Sequence, residues 1–141
     1  MTTQEQIQQM IQSLQMKAIK ADDDASKFVT YSCAEIESVA KTLMRDAATN
    51  PNVAYGSKGH HPSMPGEAPA PDTGILLQSV THSTDRKGNE VIGYVGSILK
   101  DPEYPKFLEY GTTKMKPRPW LSAALIKCQS YMSNLMRSLF R

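Results

Sequence analysis

Tyr104-Pro105-Lys106-Phe107-Leu108-Glu109-Tyr110-Gly111-Thr112-Thr113 runs through Lys114-Met115 into Lys116-Pro117-Arg118-Pro119-Trp120-Leu121-Ser122-Ala123-Ala124-Leu125, and the fold turns on this stretch. An aromatic segment meets a Gly stop, crosses a short Lys/Thr loop and reopens as a helix. Tyr104 and Leu108 stand at i,i+4, while Phe107, Leu108 and Tyr110 do not alternate, so 104–110 is expected to be a short helix. Pro117 pushes Lys116 toward extended backbone, so no helix runs through from Gly111. Pro119 suits a first helical turn, where a missing N–H costs nothing. The last helix should therefore start at a fixed angle, with Trp120 and Leu121 at its base.

Downstream, residues 119–139 read as one helix. Leu121, Leu125, Cys128, Met132, Leu135 and Leu139 recur in steps of four and three, a near-heptad seam with one buried face. Upstream, Gln78–Thr84 alternates as a strand, 85–89 forms a hairpin tip, and Glu90–Ser97 returns as its partner. Ile75-Leu76-Leu77 reads as a helical turn leading into that hairpin. Gly93 and Gly96 mark a bulge or a close approach of backbones.

The N-terminal third reads as two helices. In 4–20, Ile7, Met10, Ile11, Leu14 and Ala18 share one face, and Gln4, Gln6, Gln8, Gln9, Gln12 and Gln15 lie away from it. The glutamine side is either solvated or a subunit-contact face, since amides can be buried at less cost than charges when they find partners. Asp22-Asp23-Asp24 is expected to cap a second helix, 25–48, because anions are favoured at a helix N-terminus. Phe28, Ser32, Ile36, Val39, Leu43 and Ala47 form its stripe, and its length of about 35 Å suits packing across a whole sheet face.

Residues 49–73 are Pro/Gly-rich and aperiodic, an extended loop or arm. The chain of 141 residues is thus expected to be one α+β domain: two long helices packed on a small antiparallel sheet, with a Pro/Gly-rich loop and a C-terminal helix.

Two blocks carry a family resemblance. The 104–125 stretch resembles the aromatic–Glu–aromatic–Gly-Thr, Arg-Pro-aromatic-Leu, Ala-Leu signature of small neck proteins of long-tailed bacteriophages, the head–tail joining or tail-completion proteins. Pro65-Gly66-Glu67-Ala68-Pro69-Ala70-Pro71-Asp72-Thr73-Gly74-Ile75-Leu76-Leu77-Gln78-Ser79-Val80 is similar to the Pro-Gly-Glu-Pro-Pro loop and Thr-Gly turn of the same family. The resemblance implies a virion protein at the neck or the top of the tail, assembled in the host cytoplasm. It would form a homo-oligomeric ring, sixfold or twelvefold, joining the DNA-filled head to the tail. A tail-terminator ring capping the tail tube is the alternative seat. Implied partners are other neck and tail proteins (adaptor or stopper, terminator, tail tube). Interface candidates are Tyr104, Phe107, Glu109, Tyr110, Arg118 and Trp120 in the first block, and Pro65, Gly66, Pro69, Pro71, Thr73 and Gly74 in the second. Glu109 is expected to make an ion pair or to accept from a backbone N–H. In the family an acid recurs there, and Arg118 is its candidate partner across subunits.

Composition argues for nothing more exotic. Apolar content of 40%, charged content of 21% and net charge +2 are ordinary for a globular chain, and the charge is too small for a nucleic-acid footprint. Lys100, Lys106, Lys114, Lys116, Arg118 and Lys127 would allow non-specific contact with passing DNA at most. No apolar run reaches the roughly 20 residues that span a bilayer, and Met1–Gln6 has no signal-peptide character. Cys33 and Cys128 are expected as free, buried thiols. There is no nucleophile elbow, phosphate loop or His-Glu-x-x-His. His60, His61 and His82 sit in or beside segments expected to be mobile, and three adjacent aspartates cannot converge on one ion. No enzyme, cofactor or metal is expected.

Overall fold

In the computed structural model, residues 2–47, 75–100, 103–114 and 116–140 are described. One helix, α1 (Thr3–Ala47), carries the remaining elements along part of its length. A short helix α2 (Ile75–Ser79) leads into a hairpin of β1 (Val80–Lys87) and β2 (Glu90–Ser97). Then come α3 (Glu103–Tyr110), α4 (Leu121–Lys127) and α5 (Gln129–Leu139).

The two expected N-terminal helices are one continuous helix of 45 residues, so the break at Asp22-Asp23-Asp24 does not occur. Each aspartate finds its own cation without leaving the helix. Asp24 takes Lys20 at 2.9 Å and Asp23 takes Lys27 at 3.1 Å, both at i,i+4. Asp22 takes Arg86 of the hairpin at 2.8 Å, and Arg86 also donates to the Ser26 hydroxyl. No Gly or Pro interrupts 3–47. The start of α1 is a reciprocal capping box: Thr2 N–H donates to the Glu5 carboxylate at 2.7 Å, and Glu5 N–H to the Thr2 hydroxyl at 3.2 Å.

β1 and β2 pair antiparallel in unbroken register from Val80–Ser97 to Lys87–Glu90. Gly88, with φ of 61°, and Asn89 make the two-residue turn, with Gly in the first central position as a type II′ turn requires. There is no bulge. Gly93 marks a close approach instead: a Cβ there would lie 2.3 Å from Cys33 Sγ and 2.8 Å from Val29 Cγ1, so the absence of a side chain lets β2 lie against α1. Gly96 has open space around it. β1 runs antiparallel to α1, with His82 beside Glu37 and Arg86 beside Asp22.

The core gathers Ile36, Ala40, Met44, Leu76, Val80, Leu108, Trp120, Ala124 and Cys128. Val39 and Leu43 of the expected stripe pack at its edge. The C-terminal helix is divided at Cys128, whose backbone (φ −85°, ψ −4°) loosens one turn. Its inward line is Ala124, Cys128, Met132, Leu135 and Leu139, so Leu125 of the expected seam turns outward, 46% exposed. Cys33 and Cys128 are free and buried, and burial raises both thiol pKa values. The 49–73 loop lies outside the described residues, as do Pro65, Gly66, Pro69, Pro71, Thr73 and Gly74. No helix among the described residues is long and apolar enough to cross a membrane.

The body stops short of the N-terminal end of α1. Residues 2–23 are exposed throughout, and Asp24 is the first buried residue. The hairpin tip and the end of α5 reach back to about residue 20, so at ~1.5 Å per residue about 25 Å of helix projects past them.

Candidate functional site

The elbow between α3 and α4 is built as a lock. Pro105 and Leu108 face inward, while Tyr104, Phe107 and Tyr110 stand outward in steps of three, 50%, 43% and 75% exposed. Gly111 ends α3 with φ of 76°, and its N–H donates to the Phe107 carbonyl at 2.7 Å. The chain then doubles back. Arg118 N–H donates to the Leu108 carbonyl at 2.7 Å, which satisfies one of the acceptors orphaned by the end of α3.

Glu109 closes the lock. Its Oε2 accepts from Trp120 N–H at 2.9 Å and Leu121 N–H at 3.0 Å, and its Oε1 from Ser122 N–H at 2.9 Å. Trp120, the residue at the cap position of α4, supplies no side-chain cap, so a carboxylate eleven residues upstream does the work. Negative charge there also meets the positive end of the helix dipole. Burial by itself would raise the Glu109 pKa. Hydrogen bonds from the Ser122 hydroxyl and from the N–H groups of Leu121, Trp120 and Ser122 outweigh it and hold the pKa below the usual glutamate value. Trp120, 3% exposed, adds a further bond: its indole N–H donates to the Pro105 carbonyl at 3.2 Å.

The six elbow residues named from the sequence therefore divide. Tyr104, Phe107 and Tyr110 form an outward aromatic row. Glu109 and Trp120, expected at a subunit interface, are spent inside the chain: both Glu109 oxygens serve backbone N–H groups and Trp120 fills the core. Pro119 lies just before the helix rather than in its first turn, because the remote carboxylate caps at Trp120. Arg118 is half-buried in the loop that joins α3 to α4.

A second polar cluster joins the sheet to α1. His82 Nδ1 meets Glu37 Oε2, and Lys41 Nζ lies 2.8 Å from Glu37 Oε1. The Lys41 hydrogen bond, then that of His82, holds the Glu37 pKa below its ordinary value. His82, expected in a mobile setting, is held in a regular strand against the helix. The cluster acts as a staple between β1 and α1. Among the described residues no group of three or more His, Cys, Asp or Glu side chains is arranged to hold a metal.

Sequence reasoning missed the bare arm of α1, although its signal was present: good helix formers from Thr3 onward and a Thr2-x-x-Glu5 capping box. No protein-family model matches the chain, no curated protein matches it, and no solved structure matches it.

Proposed function

We propose that this chain is a structural subunit of the neck of a long-tailed bacteriophage, where copies form a ring that joins the head to the tail. The observation that carries the reading is the outward row Tyr104, Phe107 and Tyr110 on a helix immobilised by Glu109 and Trp120. Large aromatics on a rigid element lose little entropy on binding and concentrate interface energy. A folded chain that holds three of them toward water is built to be covered. The phage assignment rests on the two sequence blocks that resemble the neck family. A ring requires head-to-tail contacts between unlike patches of neighbouring copies, and the elbow supplies one such patch. The function is mechanical, with no bond made or broken in a partner and only non-specific contact with passing DNA.

The test is Phe107→Asp. Position 107 faces solvent, so the monomer should keep its melting temperature within the small range of surface substitutions. In the virus, heads and tails should accumulate unjoined. Normal joining by the variant would remove the elbow from the assembly surface. Nanomolar, sequence-specific binding to duplex DNA at moderate salt would overturn the structural reading itself.

A further inference from the structure

The projecting arm of α1 carries its own docking surface. Ile7, Ile11, Leu14 and Ala18 are exposed, the first three at 51%, 48% and 59%. They recur in steps of four, three and four, and Ala21, Ala25, Phe28 and Ser32 continue the alternation into the body. At about 100° per residue this line falls on the same side of α1 as Ile36, Ala40 and Ala47, which the body covers. One apolar side thus runs the length of the helix, covered in its C-terminal half and bare in its N-terminal half.

We infer that the bare half pairs antiparallel with the same segment of a second copy of this chain. Two observations choose the partner and its direction. First, the body sits on the seam side of α1. Helices packed through this seam lie about 8–10 Å apart, so a parallel pair would drive two bodies into the same space just beyond residue 23. An antiparallel pair keeps the two bodies at opposite ends of the contact, so among the described residues each body meets only the end of the partner's arm. Second, antiparallel pairing gives a consistent register. Ile11 faces the partner's Leu14 and Ile7 faces the partner's Ala18, so a large residue meets a small one at the ends and two large ones meet near the centre. Beside the seam, Gln8 meets the partner's Gln15, amide against amide, and Met10 meets the partner's Lys17, so no like charges are opposed.

The end of each arm then enters a notch on the other copy. On one flank of α1 the hairpin tip holds Asp22 and Ser26 through Arg86. On the other flank Leu139 and Phe140 line a cleft with Lys17, Lys20, Ala21 and Asp24. The seam passes between the two flanks. Phe140 is 45% exposed beside that notch.

A contact one helix wide and about 25 Å long belongs to the weak end of interface sizes, so the dimer should form at about micromolar concentration and dissociate on dilution. The pairing stands on the geometry of α1 alone and does not rest on the ring reading. It is therefore measured in a Phe107→Asp background, which removes the elbow's contacts.

Sedimentation or light scattering should show a monomer–dimer equilibrium, and Leu14→Lys should leave a monomer at every concentration with the melting of the body unchanged. A short thiol-to-thiol cross-linker should join two chains carrying both Ile7→Cys and Ala18→Cys, and should fail on Ile7→Cys alone. Within one chain the two positions are about 16 Å apart along the helix, too far to link. Cys33 and Cys128 are buried and do not compete. A monomer throughout, a dimer that survives Leu14→Lys, or equal cross-linking of Ile7→Cys alone would each overturn the inference.

Discussion

The two halves of α1 share a helix, an apolar side and good helix-forming residues, yet one is core and the other faces water. Between Asp24 and Ala47, Ser32, Cys33, Ile36, Ala40 and Met44 are buried against the hairpin and the C-terminal helices. Between Thr3 and Asp23 no residue is buried. The difference does not lie in propensity. It lies in what the rest of the chain can reach, because the hairpin and α5 both run back along α1 and stop near residue 20. A helix extended from a packed body avoids the nucleation cost that makes short isolated helices marginal, so the arm can be helical before anything covers it.

Five substitutions sharpen that contrast, in order of expected effect. Trp120→Ala removes the elbow's contribution to the core and should cost about 3–5 kcal/mol in urea unfolding, the scale for deleting a buried aromatic. A loss under 1 kcal/mol would place Trp120 outside the core. Gly93→Ala puts a methyl against Cys33 and Val29 and should cost roughly 1–3 kcal/mol, because β2 must lift off α1. Glu109→Ala uncaps α4 and should cost about 2 kcal/mol.

The same carboxylate sets a pH dependence. Its folded pKa lies below its unfolded value, so its contribution is present above about pH 4.3 and is lost as pH falls through the folded value. Glu37 acts in the same direction. Glu109→Gln should flatten the acid limb of the stability profile, and an unchanged limb would assign it to other groups. The smallest effect is the most telling one: Ile11→Ser in the arm should shift the unfolding of the dilute monomer by less than about 0.5 kcal/mol, although the same change in a core would cost several times more.

Much of the body was legible because its signals are local. Gly111 ends α3 where the aromatic run stops, and the buried line of α1 follows the 3.6-residue period; the hairpin closes at Gly88 inside the expected 85–89 tip, but Asp85–Lys87 extend β1 and Gln78 and Ser79 belong to α2 instead of the strand. The break expected at Asp22–Asp24 failed for two reasons. Lys20 and Lys27 stand at i,i+4 and neutralise Asp24 and Asp23 within the helix, while Arg86 lies 64 residues from Asp22 and no local pattern points to it. Glu109 was recognised as an acid with a task, but its ligands are N–H groups eleven to thirteen residues downstream, brought near only by the doubling back after Gly111. Strict heptad steps put Leu125 on the seam, whereas Ala124 is the residue small enough to sit at the helix contact. That a periodic apolar face will be buried is a fair inference; that the same chain buries it is not, and the arm is the counterexample.

Hydrogen exchange along α1, followed by mass spectrometry at two protein concentrations, tests this division most directly. Amides of 24–47 should be strongly protected at both concentrations, while those of 3–23 should exchange fast in dilute solution and slow markedly as concentration rises. Uniform protection along the whole helix, independent of concentration, would contradict the account.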